Sequence, residues 1–285
     1  MPEGALPEPP KPIGVPDIRL AKRSRGYRPV VMLTAYDTPG ARIADRAGVD
    51  IILVGDSLAN TVLGYEDTLQ VGIPEMVHHV GAVSRARPRA LVVADMPWMS
   101  YHLGVNDAVS NASRLVRAGA EAVKLEGGRR RVEVVEAVVA AEVPVMGHLG
   151  LTPQSVHAFG GYRVQAREAR AAEILLEDAV ALAEAGCFAI VLEAVPDSVA
   201  ARVTEAVDVP TIGIGAGSSC DGQVLVFHDL LGLREGKPAK FVRQYAQLSE
   251  LATSAVSSWA ADVRSGAFPS EAETYHLPAG DDRPD

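Results

Sequence analysis

The chain has 285 residues, 48% of them hydrophobic and 22% charged, the make-up of a globular protein. That length suits one α/β barrel of roughly 250 residues. The net charge of −9 argues against nucleic acid or an anionic membrane as partner, and no apolar run reaches the ~20 residues that span a bilayer.

In chain order, Met1–Pro16 holds six prolines and lacks the apolar stretch of a secretory signal. Residues 1–16 therefore read as a disordered Pro-rich extension, 17–277 as one catalytic domain, and 278–285 as a short disordered acidic tail. Within the domain, short Val/Ile/Leu-rich runs predict strands at Val30–Asp37, Asp50–Asp56, Ala90–Asp95, Ala122–Glu126, Val143–His148, Phe188–Glu193 and Val209–Gly215, with a weaker eighth at Val224–Asp229. Amphipathic stretches lie between them, at Pro39–Ala47, Asp107–Ala118, Arg130–Ala141, Ala171–Ala185 and Ser198–Val207. Strand and helix alternating in this way predict parallel βαβ units.

The joins repeat as well. Arg46-Ala-Gly-Val-Asp, Arg117-Ala-Gly-Ala-Glu and Glu184-Ala-Gly-Cys-Phe each put Ala-Gly at a helix end, where glycine can take the left-handed cap. This quasi-repeat favours a closed (β/α)8 TIM barrel over an open doubly wound sheet. The Gly213-Ile-Gly-Ala-Gly217 run lacks the last glycine of a dinucleotide fingerprint and reads as a tight turn, with an anion cradle as the alternative. Cys187 and Cys220 have no metal-binding spacing and read as reduced packing residues of a cytoplasmic protein.

Barrel enzymes carry their reacting groups where the strands end. Here those ends supply Tyr36 and Asp37, Asp56 with Ser57, Asp95, Lys124 with Glu126, His148, and Glu193. Taken singly, each acid could simply cap the next helix. Asp56, Asp95 and Glu126 end three successive strands, and three adjacent carboxylates call for a hard cation such as Mg²⁺. Lys124 and Glu126, two apart, share the interior face, so Lys124 is either paired or holds an anionic substrate. Glu193, after an apolar run, is partly desolvated and suits a general base. His148 is as well read as structural as substrate-orienting.

Several of these segments resemble ketopantoate hydroxymethyltransferase (3-methyl-2-oxobutanoate hydroxymethyltransferase). They are Met32-Leu-Thr-Ala-Tyr-Asp37, Val54-Gly-Asp-Ser-Leu58, Val123-Lys-Leu-Glu-Gly127, Gly147-His-Leu-Gly-Leu-Thr-Pro-Gln-Ser155, Phe159-Gly-Gly-Tyr-Arg-Val-Gln165, Gly213–Gly217 and Asp221-Gly-Gln-Val-Leu-Val226. The resemblance runs from about Asp17 to Phe268-Pro269. It implies transfer of a hydroxymethyl group from 5,10-methylenetetrahydrofolate to 3-methyl-2-oxobutanoate, giving 2-dehydropantoate and tetrahydrofolate on the way to pantothenate and coenzyme A. It further implies one Mg²⁺ per subunit on Asp56 and Asp95, with Glu126 as a third carboxylate. Ser57 and Lys124 would hold the oxo acid together with Asp56 and Asp95, and Glu193 would be the base that enolises it. A cytoplasmic homodecamer of two pentameric rings is implied too. The chain departs from the family pattern at Ala59 and Ala166, often glycine, and at Glu273-Thr-Tyr275, where a histidine is usual. An alternative is a Mg²⁺-dependent C–C lyase or mutase of the phosphoenolpyruvate-mutase and isocitrate-lyase type. The Lys-Lys-Cys-Gly-His loop of those lyases is absent.

Overall fold

The protein is described by a computed structural model covering residues 11–22 and 25–277. The apolar runs become eight strands: β1 (Val30–Thr34), β2 (Ile51–Val54), β3 (Leu91–Asp95), β4 (Ala122–Glu126), β5 (Val145–Gly150), β6 (Ala189–Glu193), β7 (Thr211–Ile214) and β8 (Gly222–Leu225). Each pairs in parallel with its neighbour, and β8 closes on β1, giving a (β/α)8 barrel. Every residue of β2, β3 and β4 is buried, as expected of strands covered on both faces.

Helices α2 (Thr38–Arg46), α5 (Val105–Ala118), α6 (Val132–Ala140), α8 (Ala169–Glu184) and α9 (Asp197–Ala206) fall within two residues of their expected bounds. The three Ala-Gly joins behave as their chemistry requires, with Gly48, Gly119 and Gly186 at φ +80, +113 and +104. A further helix, α4 (Ile73–Ser84), lies between β2 and β3, its buried Ile73, Met76, Val80 and Val83 at helical spacing. Strand ends were read too long at β1, because Asp37 caps α2 instead, its Oδ1 accepting from Gly40 N–H at 2.7 Å. The last strand sits two residues earlier than expected, since Gly222 packs where a Cβ would lie 2.5 Å from the Val30 carbonyl oxygen. The Gly213–Gly217 run is a turn closed by packing: Gly215, at φ +65, lies under the Phe241 ring.

Inside the barrel the side chains stack in layers. Met32, Ile51, Leu53, Leu91, Val93, Ala122, Met146, Ala189, Val191, Ile212 and Val224 form one apolar cluster. Helix α1 (Val15–Leu20) stoppers its N-terminal end with Ile18, and Ile13 and Val15 pack against the same cluster. Ile13 N–H donates to the Arg89 carbonyl at 2.8 Å. The expected extension over 1–16 therefore needs correction from Ile13 onward, because apolar side chains there find a core to cover. Residues 1–10 and the expected tail over 278–285 lie outside the described residues.

The remaining short helices are α3 (Leu58–Thr61), α7 (Val156–Phe159) and α10 (Phe227–Leu230). By contacts the chain forms two compact units, one running through Phe227 and including Pro238–Val242, the other made of His228–Lys237 and the chain from Arg243. The second unit carries α11 (Leu248–Ser265), which buries none of its residues.

Candidate active site

The interior layer above the apolar cluster is charged. Register explains how: Lys124 stands beside Asp95 and Glu126 beside His148, so these side chains meet across neighbouring strands, while Glu193, level with Gly150, ends β6 next to them. Asp56 follows β2 by two residues, and Ser57 opens α3. Asp56, Asp95, Lys124, Glu126 and His148 are all buried, while the Glu193 side chain keeps 17% of its exposure.

Asp56 backbone N–H donates to Asp95 Oδ2 at 3.0 Å. The Lys124 ammonium lies 2.8 Å from Asp95 Oδ1, close enough for an ion pair though not aligned as a hydrogen bond. His148 links the two glutamates: Nδ1 is 3.2 Å from Glu126 Oε1, and Nε2 is 3.2 Å from Glu193 Oε2, again without hydrogen-bond alignment at Nε2. Ser57 Oγ shares a 2.8 Å hydrogen bond with the Tyr36 hydroxyl.

Burial, and then the charges of Asp95 and Glu126, push the Asp56 carboxyl well above the usual carboxylate range, against the opposing pull of Lys124 and a Gln154 hydrogen bond. Burial disfavours the Lys124 ammonium, yet the surrounding Asp95, Glu126 and Asp56 charges outweigh it and raise its pKa. Burial and nearby Lys124 act against charge on His148, but the adjoining carboxylates of Glu126 and Glu193 prevail and lift it to about 9. The Lys124 ammonium also lies 3.2 Å from His148 Nδ1, so that ring nitrogen faces both Lys124 and Glu126.

Asp56, Ser57, Asp95, Lys124, Glu126 and Glu193 converge at the C-terminal mouth, and two residues that the sequence left without an assignment prove central to it. His148 ties Glu126 to Glu193. Gln154, inside a quoted motif but given no role, hydrogen-bonds Asp56 and Glu126. Tyr101, which no sequence signal marked, reaches Gln154 from the loop after β3. Asp37 leaves the site to cap its helix.

Among the described residues no three acidic, histidine or cysteine side chains are already set around one point as metal ligands. The donor set still fits a hard cation. Its oxygens come from buried carboxylates, and Asp56 Oδ1 has no hydrogen-bond partner among the described residues.

A family model described as ketopantoate hydroxymethyltransferase matches residues 13–271. The chain belongs to the ketopantoate hydroxymethyltransferase family. It is 57% identical over 256 residues to 3-methyl-2-oxobutanoate hydroxymethyltransferase 2 of Bradyrhizobium diazoefficiens, covering 90% of this chain and 87% of that one. The 3-methyl-2-oxobutanoate hydroxymethyltransferase of Koribacter versatilis is 55% identical over 260 residues, covering 91% and 88%. This family member is accordingly an enzyme, a one-carbon-group transferase. Among solved structures, phosphonopyruvate hydrolase in complex with oxalate and Mg²⁺ shares the fold with a TM-score of 0.58 at 16% identity, covering 93% of this chain and 92% of that one. So does 2,3-dimethylmalate lyase, of the phosphoenolpyruvate-mutase and isocitrate-lyase superfamily, with a TM-score of 0.58 at 17% identity and 92% coverage of both chains. That likeness is one of fold alone, so the transferase relatives decide against the lyase alternative. Among the described residues no helix is long and apolar enough to cross a membrane.

Proposed function

We propose that this enzyme transfers a hydroxymethyl group to 3-methyl-2-oxobutanoate from 5,10-methylenetetrahydrofolate and water, releasing 2-dehydropantoate and tetrahydrofolate for pantothenate and coenzyme A synthesis. Three carboxylates buried at the ends of three successive strands, beside one lysine, carry the assignment. Asp56 and Asp95 would hold Mg²⁺, and Glu126 would support it directly or through water. Bound there, Mg²⁺ supplies Lewis-acid polarisation of the keto group of the oxo acid.

The chain's own groups do the rest. Lys124, anchored by Asp95, presents an ammonium to the substrate's negative charge, and Ser57 offers a hydroxyl donor beside it. Water releases the one-carbon unit from both folate nitrogens at the aldehyde level, Glu193 takes the proton from C3, and C3 then bonds to that carbon, whose oxygen becomes the new hydroxyl. His148, 3.2 Å from Glu193 Oε2, holds this base in place.

The enzyme is also proposed to act in the cytoplasm as a homo-oligomer, a decamer of two pentameric rings. Two buried cysteines, neither of them in a disulfide, suit a reducing compartment. The exposed Leu251, Val256, Trp259 and Val263 of α11 support burial against further copies.

Exchange of the C3 proton with solvent deuterium, followed by NMR, tests the role of Glu193. Glu193→Gln should slow exchange about 100-fold or more while metal binding persists. Undiminished exchange removes Glu193 as base. Product formation by the unaltered enzyme without methylenetetrahydrofolate would overturn the folate donor.

A further inference from the structure

Gln154 lies in the turn after β5, a polar side chain only 7% exposed among loops from other strands. A buried amide has two N–H donors and a carbonyl acceptor to satisfy. Nε2 donates to Asp56 Oδ2 at 2.9 Å and to the Met96 carbonyl at 3.0 Å. Oε1 accepts from the Tyr101 hydroxyl at 2.6 Å, and that hydroxyl accepts in turn from Glu126 N–H at 3.2 Å. The backbone N–H of Gln154 donates to Glu126 Oε2 at 3.0 Å. One residue thus ties the ends of β2, β3 and β4 to the turn after β5.

The amide has one workable orientation. Reversed, its oxygen would face a carboxylate oxygen and a carbonyl, and its NH₂ would face a hydroxyl already receiving the Glu126 proton. With Oδ2 of Asp56 occupied, Oδ1 is left without a partner among the described residues.

We infer that Gln154, locked by Tyr101, is the positioning residue of the site: it fixes the Asp56 carboxylate so that Oδ1 alone faces the cation, and it holds Glu126 beside it. This rests on the metal reading proposed above. Partners of metal ligands that sit one shell out set ligand direction, and losing one weakens metal binding about 10- to 100-fold. A tie that served the fold alone would alter melting and leave metal affinity untouched.

The test is Mn²⁺ binding to the full-length chain, followed by electron paramagnetic resonance without substrate, alongside melting curves. Gln154→Met keeps the side-chain length and removes its donors and acceptor; the Mn²⁺ Kd should rise about 10- to 100-fold, alongside a lower melting temperature from the buried partners left unsatisfied. Tyr101→Phe removes only the lock on the amide and should raise the Kd about 2- to 10-fold. Asp56→Asn serves as the reference for a lost ligand. Wild-type affinity in Gln154→Met, with Asp56→Asn impaired, overturns the inference and spares the metal reading. If Gln154→Met does not fold, an unchanged Kd in Tyr101→Phe overturns it instead. Failure of the wild type to bind Mn²⁺ overturns the metal reading and the inference together.

Discussion

Two buried lysine–aspartate pairs lie at opposite ends of the barrel, and they serve different ends. At the floor, Lys22 meets Asp221 at 3.0 Å and also donates to the Thr204 and Val209 carbonyls. Asp221 Oδ2 accepts further from Thr211 N–H at 2.9 Å. One charge balances one charge, and the donors are filled. At the mouth, Lys124 meets Asp95 at 2.8 Å, but there Asp56, Asp95, Glu126 and Glu193 share Lys124 and His148 as their basic partners among the described residues. Carboxyl groups outnumber basic side chains there, and Asp56 bears the strain. A balanced pair stitches α1 to the barrel; an unbalanced cluster is kept for something that arrives from outside.

Asp56→Asn should separate the two ends most sharply. Turnover should fall about 100- to 1000-fold, because a neutral amide gives up the preorganised charge, while melting temperature holds or rises as repulsion is relieved. Steady-state kinetics and calorimetry together check this, and a marked loss of stability would break the contrast. At the floor the expected signs reverse. Lys22→Met strands the Asp221 carboxylate and should cost about 3–5 kcal/mol in denaturant unfolding while turnover per folded enzyme persists. Adding Asp221→Leu to Lys22→Met should restore much of that stability. A floor variant that folds normally but loses turnover would show that both ends serve catalysis.

The smallest effect is expected between the ends. Burial pushes the Cys187 thiol up to about 12, so it stays protonated and unreactive across the neutral range. Cys220, also buried, has its pKa raised by the same cause. Iodoacetamide at pH 8 should leave both cysteines unmodified in the native chain and alkylate them after denaturation, as read by mass spectrometry. Rapid native labelling would mean that the barrel wall opens far more readily than either end suggests.

Much of the mouth was legible beforehand. Apolar runs that end in acids mark buried parallel strands, and the two-residue period put Lys124 and Glu126 on one face without any tertiary information. The same local logic failed at Asp37, where a strand-end acid caps a helix, and at the N-terminus, where proline-rich composition hid the packing of Ile13 and Val15.

By itself, then, the sequence determined the barrel, the family and the list of charged strand ends, because periodicity and motif are properties of neighbouring residues. Only the tertiary structure decided how those ends are wired. Gln154 and Asp56 are 98 residues apart, and Tyr101 and Gln154 are 53 apart. Hydrogen bonds of that kind depend on closure of the barrel, which sets β2, β3, β4 and β5 side by side, and no local pattern encodes them.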